Sequence, residues 1–472
     1  MGMGRKRDRQ GELFMATADL ARSPGHPFYV RLNKLLNEAE FDRWLEAKCA
    51  PHFAASDKPG RPSIPPGTYF RMLLIGYFEG LESQRGIAWR CADSLSLHEF
   101  LGVAPHEPTP DHSTLTNTRK RLPPEIFDDV FRFVLQLAGK KRLISGKQVG
   151  VDTTTVEADA AMKSIVRRDT GEDWREYVTR LMREEGAVAK DAEPTNEELR
   201  RFDKKRKKKA SNAEWGSPTD PDAEITQLKD GRTHLAYKSS HVVDLESDLI
   251  LAAPIHKATT ADMHLLVDDV LAAQENLQAA QLDVAIAEVA ADKGYHSAAA
   301  LELCDELGLR TYIPEPKMPQ GRVWTEKPPA QQRVVYANRR RMKRAKGKRL
   351  GRLRSERVER SFAHVCDAGG MRRSRLRGLI DVTKRYLIAA AAHNLGRILF
   401  KLCGIGKPRS LQGNFAAENA RRALALLAQL LTQLLLALSA RVNRLTRSYA
   451  TLRAETEAPR AMCRMITFST GC

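Results

Sequence analysis

Three acidic residues sit where phosphoryl chemistry would want them. Asp152 lies in Lys147-Gln-Val-Gly-Val-Asp152-Thr-Thr-Thr-Val156, and Asp292 in Val284-Ala-Ile-Ala-Glu-Val-Ala-Ala-Asp292-Lys-Gly-Tyr-His296. Glu359 lies in Glu356-Arg-Val-Glu359-Arg-Ser-Phe-Ala-His364, with Glu356 as its rival. The first two follow strand-like runs; the third sits in a helix-like run crowded by arginines. Phosphodiester cleavage and transfer require the attacking and leaving oxygens to be stabilised together, which two divalent ions ~4 Å apart accomplish. Three carboxylates are a common minimal ligand set, because Mg²⁺ keeps several waters and takes few protein oxygens. On this reading Asp152 bridges two Mg²⁺ or Mn²⁺ ions, while Asp292 and Glu359 each complete one site. The bland readings are a strand-end cap for Asp152, a turn for Asp292-Lys-Gly294, and arginine pairing for either glutamate. Nearby Glu157, Asp159 and Asp244 read as solvated or structural, and His241 as a satisfied core histidine.

The surroundings of these carboxylates are basic. The chain of 472 residues carries a formal charge of +19 and a pI near 9.7. An excess of this size favours polyanionic partners, because neutralising phosphates releases condensed counterions. The charge is clustered. Arg339, Arg340, Arg341 and Lys343 open a tract running to Arg349, and Arg354 and Arg357 continue it towards Glu359. Lys293 follows the second carboxylate directly, and Arg119 and Arg121 lie in a separate basic helix. These nine are the candidate DNA contacts, and double-stranded DNA is the expected partner. Seven scattered cysteines without a Cys-x-x-Cys pair argue against a disulfide framework or zinc module and for a reducing compartment. The start of the chain lacks an apolar signal core. The leucine-rich run from Ala423 to Ala440 is interrupted by Gln429, Thr432 and Gln433 and flanked by arginines. It is marginal for spanning ~30 Å of hydrocarbon and reads as a packed or dimerising helix. A cytoplasmic, nucleoid-associated protein without a membrane segment is expected.

The elements that must position the three carboxylates can be read in outline. Residues 1–28 form a polar tail, and 29–140 a helical domain, with helical spacing at Phe41–Ala50 and Thr68–Phe78. A proline-rich break at 105–110 precedes a basic helix whose N-cap types begin at Asp111. From 141 to 400 the pattern is α/β, with a polar basic insertion around 163–223. Lys147–Val156 reads as a strand, and Thr233–Val243 and Leu249–Ile255 as a hairpin around Glu246-Ser-Asp248. A helix over 262–280, a strand over 284–290, a helix from Ser297 to Leu307 and a short strand at 310–313 follow. A helical tail fills 401–472. This element order is that of a ribonuclease H-like mixed sheet, in which the first and fourth strands are neighbours. Asp152 and Asp292 are then expected side by side, with the Glu359 helix across the same edge.

These residues resemble bacterial insertion-sequence transposases of the DDE class. Val151-Asp152-Thr-Thr, Ala291-Asp292-Lys-Gly-Tyr-His296 and Val358-Glu359-Arg-Ser-Phe-Ala363 are similar to the three catalytic blocks of that family. Tyr69–Leu74, Gly76-Tyr77, Asp111-His-Ser-Thr-Leu115 and Arg119 look like its helical N-terminal domain, and Arg375–Gly378 with Asn394-Leu395 like its continuation beyond the glutamate. The resemblance implies cutting and joining of DNA at terminal inverted repeats, target DNA as second substrate, and a homodimer that pairs two ends. Related enzymes usually carry a tyrosine and an arginine before the glutamate and a basic residue seven positions after it. Here those places hold Arg352, Ser355 and Cys366. Arg354 or Arg357 is the candidate replacement for the arginine, and Arg372 or Arg373 for the later basic group. Two rival classes share these features: a DNA-binding derivative that has lost catalysis, and a nuclease that cuts without joining.

Overall fold

The computed structural model describes residues 23–53, 63–189, 191–206, 211–228, 231–316, 324 and 326–411, with scattered helical positions between 429 and 439. Residues up to 408 cluster as one compact unit. Its sheet is built from β1 (Gln148–Glu157), β4 (Glu224–Gln227), β5 (Thr233–Asp244), β6 (Ile250–Ala252), β7 (Ile255–Lys257), β8 (Glu288–Ala291) and β9 (Arg310–Tyr312). The main path runs β4-β5-β1-β8-β9, and β6 and β7 also pair with β5. β1 is antiparallel to β5 and parallel to β8, and β8 is parallel to β9. The chain therefore forms the mixed sheet expected of a ribonuclease H-like core.

One expected strand is two. Leu249–Ile255 divides into β6 and β7 around Pro254, whose ring nitrogen cannot donate to the ladder. Its carbonyl instead accepts from Ser240 N at 3.0 Å, so the pairing to β5 resumes beyond it. The strand expected from Val284 is shorter. Residues 284 and 286 are tied to the side chain of Gln274 instead, and regular pairing begins at Glu288.

Seven helices precede the sheet: α1 (Pro27–Glu38), α2 (Phe41–Cys49), α3 (Pro66–Glu79), α4 (Gln84–Ala92), α5 (Leu95–Leu101), α6 (His112–Arg121) and α7 (Pro124–Lys140). Their ends follow local chemistry: Ser83, Ser94 and Asp111 accept from the first-turn amides of α4, α5 and α6. The basic insertion is ordered over its described residues. β2 (Val166–Arg167) pairs with β3 (Trp215–Gly216), and α8 (Trp174–Glu184) and α9 (Asn196–Lys205) each open with a capping box. Val178, Met182 and Leu199 give it a small core of its own.

Behind the sheet run α10 (Asp262–Ala279) and α11 (Ala298–Glu306); α12 (Pro329–Lys343), α13 (Ala345–Phe362) and α14 (Leu379–Cys403) complete the unit. α14 is buried on every side from Lys384 to Asn394, packed between the sheet and helices α3 and α7. Its two buried cations are satisfied by carbonyls. Lys384 Nζ donates to Arg119 O and Leu122 O at 3.1 and 2.9 Å, at the negative end of α6. Arg385 donates to Leu73 O and Leu81 O at 3.2 Å, and burial lowers its pKa to about 10. The leucine-rich run from 423 to 440 lies largely outside the described residues; of its described positions, Leu431, Leu435 and Leu438 are exposed. Among the described residues no helix is long and apolar enough to cross a membrane.

Candidate active site

The parallel register of β1 and β8 sets Val149 against Val289, Gly150 against Ala290 and Val151 against Ala291. The next residue on each chain is the acidic one, so Asp152 and Asp292 leave the apolar interior at adjacent points. Asp292 directly follows β8 and caps the short turn Lys293–Tyr295, its Oδ1 accepting from Gly294 N. Asp152 is still within β1, opposite His241 of β5. Its Oδ1 accepts from Thr153 N at 2.9 Å and its Oδ2 from Arg354 Nη1 at 2.7 Å. Burial raises the pKa of Asp152; Arg354 and the Thr153 amide oppose that rise, while Asp292 and Asp262 add to it. A carboxylate desolvated among other carboxylates is a place where a cation is favoured.

α13 reaches the same point because β1 carries a glycine beneath it. A Cβ at Gly150 would lie 2.9 Å from Val358 Cγ2 and 3.1 Å from Arg354 Cγ. Val358 is buried against the sheet, which sets the flanks of the helix. Arg354, one turn earlier, extends to Asp152. Glu359 is exposed, its Oε1 accepting from Ser355 Oγ at 2.7 Å. Its rival Glu356 is ion-paired to Arg360. Among the described residues no three His, Cys, Asp or Glu side chains stand grouped as a metal cage. Asp152 and Asp292 come together at adjacent strand positions; Glu359 lies exposed on the helix packed against β1 and β8.

The basic candidates divide by what they touch. Lys293, Arg340, Lys343 and Arg121 are exposed, with the Arg121 guanidinium 5.0 Å from the Phe53 ring centroid. Arg339 forms a double hydrogen bond to Glu315 at 2.9 and 2.8 Å. Arg341 donates to Thr311 O and Oγ1 at 3.0 and 3.1 Å. Arg119 is buried and bound to Asp381 at 3.1 Å. Arg357 joins Arg360 and Arg397 on the buried carboxylate of Asp248, a turn residue at φ 63°. α13 ends in a π-helical turn, Ala363–Ala368, which places Cys366 in the interior, its Sγ 3.7 Å from Tyr386 Oη. Beyond that turn Arg372 approaches Thr154 Oγ1 of β1 at 3.4 Å, whereas Arg373 lies 3.9 Å from Glu157.

Two neighbours of the site, Asp262 and Lys238, were not singled out from the sequence, whereas His241 reads there as a satisfied core histidine. Asp262, the first residue of α10, accepts from Thr153 Oγ1 at 3.0 Å and Lys238 Nζ at 2.9 Å. A Cβ on Gly294 would lie 3.3 Å from both Asp262 Oδ2 and Asp292 Oδ1, so these carboxylates flank one glycine. The available signal was a lysine, Lys238, inside a strand that holds no other Lys or Arg. His241 is fully buried, bonded to Ser361 at 2.7 Å and Tyr386 at 3.0 Å and stacked on Phe362. Burial lowers its pKa to about 3. It is part of the scaffold under α13.

A sheet in this order, with a glutamate-bearing helix packed against its central strands, is that of a ribonuclease H-like core, and the family matches supply the class of enzyme. The chain belongs to the DDE transposase family: it matches the transposase DDE domain over residues 151–395, more than half its length. A second match, to a transposase domain (DUF772), spans residues 17–121. No curated protein and no solved structure matches it. The protein is thus a DNA transposase in the general sense.

Proposed function

We propose that this transposase cuts and rejoins DNA at the terminal inverted repeats of an insertion sequence by metal-dependent phosphodiester transfer, with Asp152, Asp292 and Glu359 as metal ligands. The observation that carries this is the parallel β1–β8 pairing, which brings two oxygen-only side chains to one point at the edge of α13. Such hard donors suit Mg²⁺ or Mn²⁺. Bound divalent ions supply charge stabilisation to the attacking and leaving oxygens. The chain's own residues supply placement. Asp152 is oriented by the Thr153 amide, Asp292 by its turn, and Glu359 by Ser355. Lys293, Arg340 and Lys343 are exposed to hold the DNA backbone, and two copies would pair two element ends.

A strand-transfer assay with labelled element ends and Mg²⁺ or Mn²⁺ tests the reading. Asp152→Asn, Asp292→Asn and Glu359→Gln should each lower cleavage by roughly 10³-fold, equivalent to about 4 kcal/mol of lost transition-state stabilisation. Cleavage without joining by the unaltered chain would indicate a nuclease instead. A DNA-binding derivative without catalysis is favoured by one observation, the Arg354 guanidinium seated on Asp152; DNA binding with no cleavage at any metal concentration would establish it.

A further inference from the structure

A cavity of about 210 Å³ lies away from the carboxylates, between the first turn of α4, the start of α6 and residues 370–376. Its floor is apolar and includes Tyr69, Leu73, Ile87 and Phe127. Its walls are cationic. Arg85, Arg119, Arg373, Arg375 and Arg385 line it, and Glu82 is the one carboxylate among the described lining residues.

Two of these five cations, Arg119 and Arg373, are only partly satisfied. Arg375 pairs with Glu82 at 3.1 Å, and Arg385 is held by carbonyls. Arg119 is 8 % exposed; its Nε binds Asp381, but its Nη1 is buried with no hydrogen-bond partner. Arg373 Nε is likewise buried without a hydrogen-bond partner, although its guanidinium is partly exposed and its Nη1 lies 3.9 Å from Glu157. A guanidinium N–H buried without a hydrogen-bond partner carries a desolvation cost that an anion in the cavity would offset. The first turn of α4, capped by Ser83, also presents its amide end here, where helix geometry favours negative charge.

We infer that this cavity binds a nucleotide unit, its phosphate taken by the Arg85–Arg119–Arg373 rim and its base or sugar by the apolar floor. The shared chemistry is a phosphoester attached to a flat apolar body. Its source is either a free nucleotide or one unit of the DNA strand, and only the second source rests on the transposase reading.

The test is titration calorimetry of the full chain with deoxyadenosine 5′-monophosphate, beside fluorescence anisotropy with a double-stranded DNA fragment. Two variants are compared: Arg85→Ala, at an exposed rim position, and Leu376→Trp, which fills the cavity from a half-buried wall. Unchanged thermal unfolding confirms that both fold. Binding of the mononucleotide should weaken about tenfold in Arg85→Ala, as expected for one lost charge-assisted contact, and at least about tenfold in Leu376→Trp, where the indole occupies the cavity. If DNA is the source, Arg85→Ala should also lower the slope of log affinity against log salt by about one. Mononucleotide binding lost in the variants with DNA binding unchanged assigns the cavity to a free nucleotide, and so does mononucleotide binding by a chain that does not bind DNA. The inference is overturned if the mononucleotide does not bind and both variants bind DNA as the unaltered chain does.

Discussion

Arg354 Nη1 stands 2.7 Å from Asp152 Oδ2, an ion pair closed between residues 202 apart in the chain. The guanidinium holds the carboxylate oxygen that a divalent cation would take, and it belongs to the same helix as Glu359. Metal binding at Asp152, as proposed above, would therefore compete with this ion pair. Arg354→Ala should tighten Mn²⁺ binding about fivefold, as expected for a partly exposed pair worth ~1 kcal/mol. Calorimetric Mn²⁺ titration reads this directly, and unchanged or weaker affinity would remove the competition.

The approach of α13 to β1 depends on the missing side chain at Gly150. Gly150→Val would press on Leu245, Val358 and Arg354, whose nearest atoms lie 2.8–3.1 Å from a Cβ there. Overpacking of this kind costs about 1–3 kcal/mol of stability. Denaturant unfolding should show that loss. Cleavage should fall further than the folded fraction does, because displacement of α13 carries Glu359 and Arg354 with it.

Asp262 acts through its neighbours. It fixes Thr153, adjacent to Asp152, and Lys238 on the next strand. Asp262→Ala should reduce the rate of cleavage by about 10- to 100-fold, the range found when groups supporting a metal ligand are removed. Asp262→Asn, which keeps one acceptor for Thr153, should recover part of it. Equal losses in rate and in DNA affinity for both variants would place Asp262 in substrate binding instead.

Burial lowers the His241 pKa to about 3, against an ordinary value of 6.5. The folded state therefore holds this ring neutral, while the unfolded chain protonates it below pH 6.5. The associated stability is fully present above pH 6.5 and is lost as pH falls towards 3, at ~1.4 kcal/mol per pH unit for one proton. Urea unfolding from pH 7 to 4 should show that slope, and His241→Gln should reduce it by about one proton. The same slope in both proteins would mean that the ring is already charged when folded.

Much of this site was legible because its parts are local. The apolar run before Asp152, the turn types after Asp292 and the Ser297 cap are each fixed by a few adjacent residues, and the sheet order followed from them. The capping boxes at Asp173–Glu176 and Thr195–Glu198 are equally local, and they open the two helices described within the polar basic insertion. What escaped detection was long-range. Asp262 and Lys238 are 24 residues apart in sequence, and the pairing of Arg354 with Asp152 depends on how a glycine lets a helix settle. The basic tract shows the limit of composition: Arg339 and Arg341 share it with Arg340 and Lys343, yet the first two are spent on Glu315 and Thr311.

Helix α14 begins inside the DDE match, and its buried surfaces rest on α3 and α7, which precede the sheet in sequence. The chain is therefore not two interchangeable cassettes. A chimera that grafts the first 121 residues of a relative onto this core would bring a foreign α3 against His393 and Gly396 and foreign carbonyls to Arg385. Functional hybrids should be found only where the breakpoint carries α14 together with its N-terminal partners, so inheritance of the two matched segments is coupled by packing rather than by chain order.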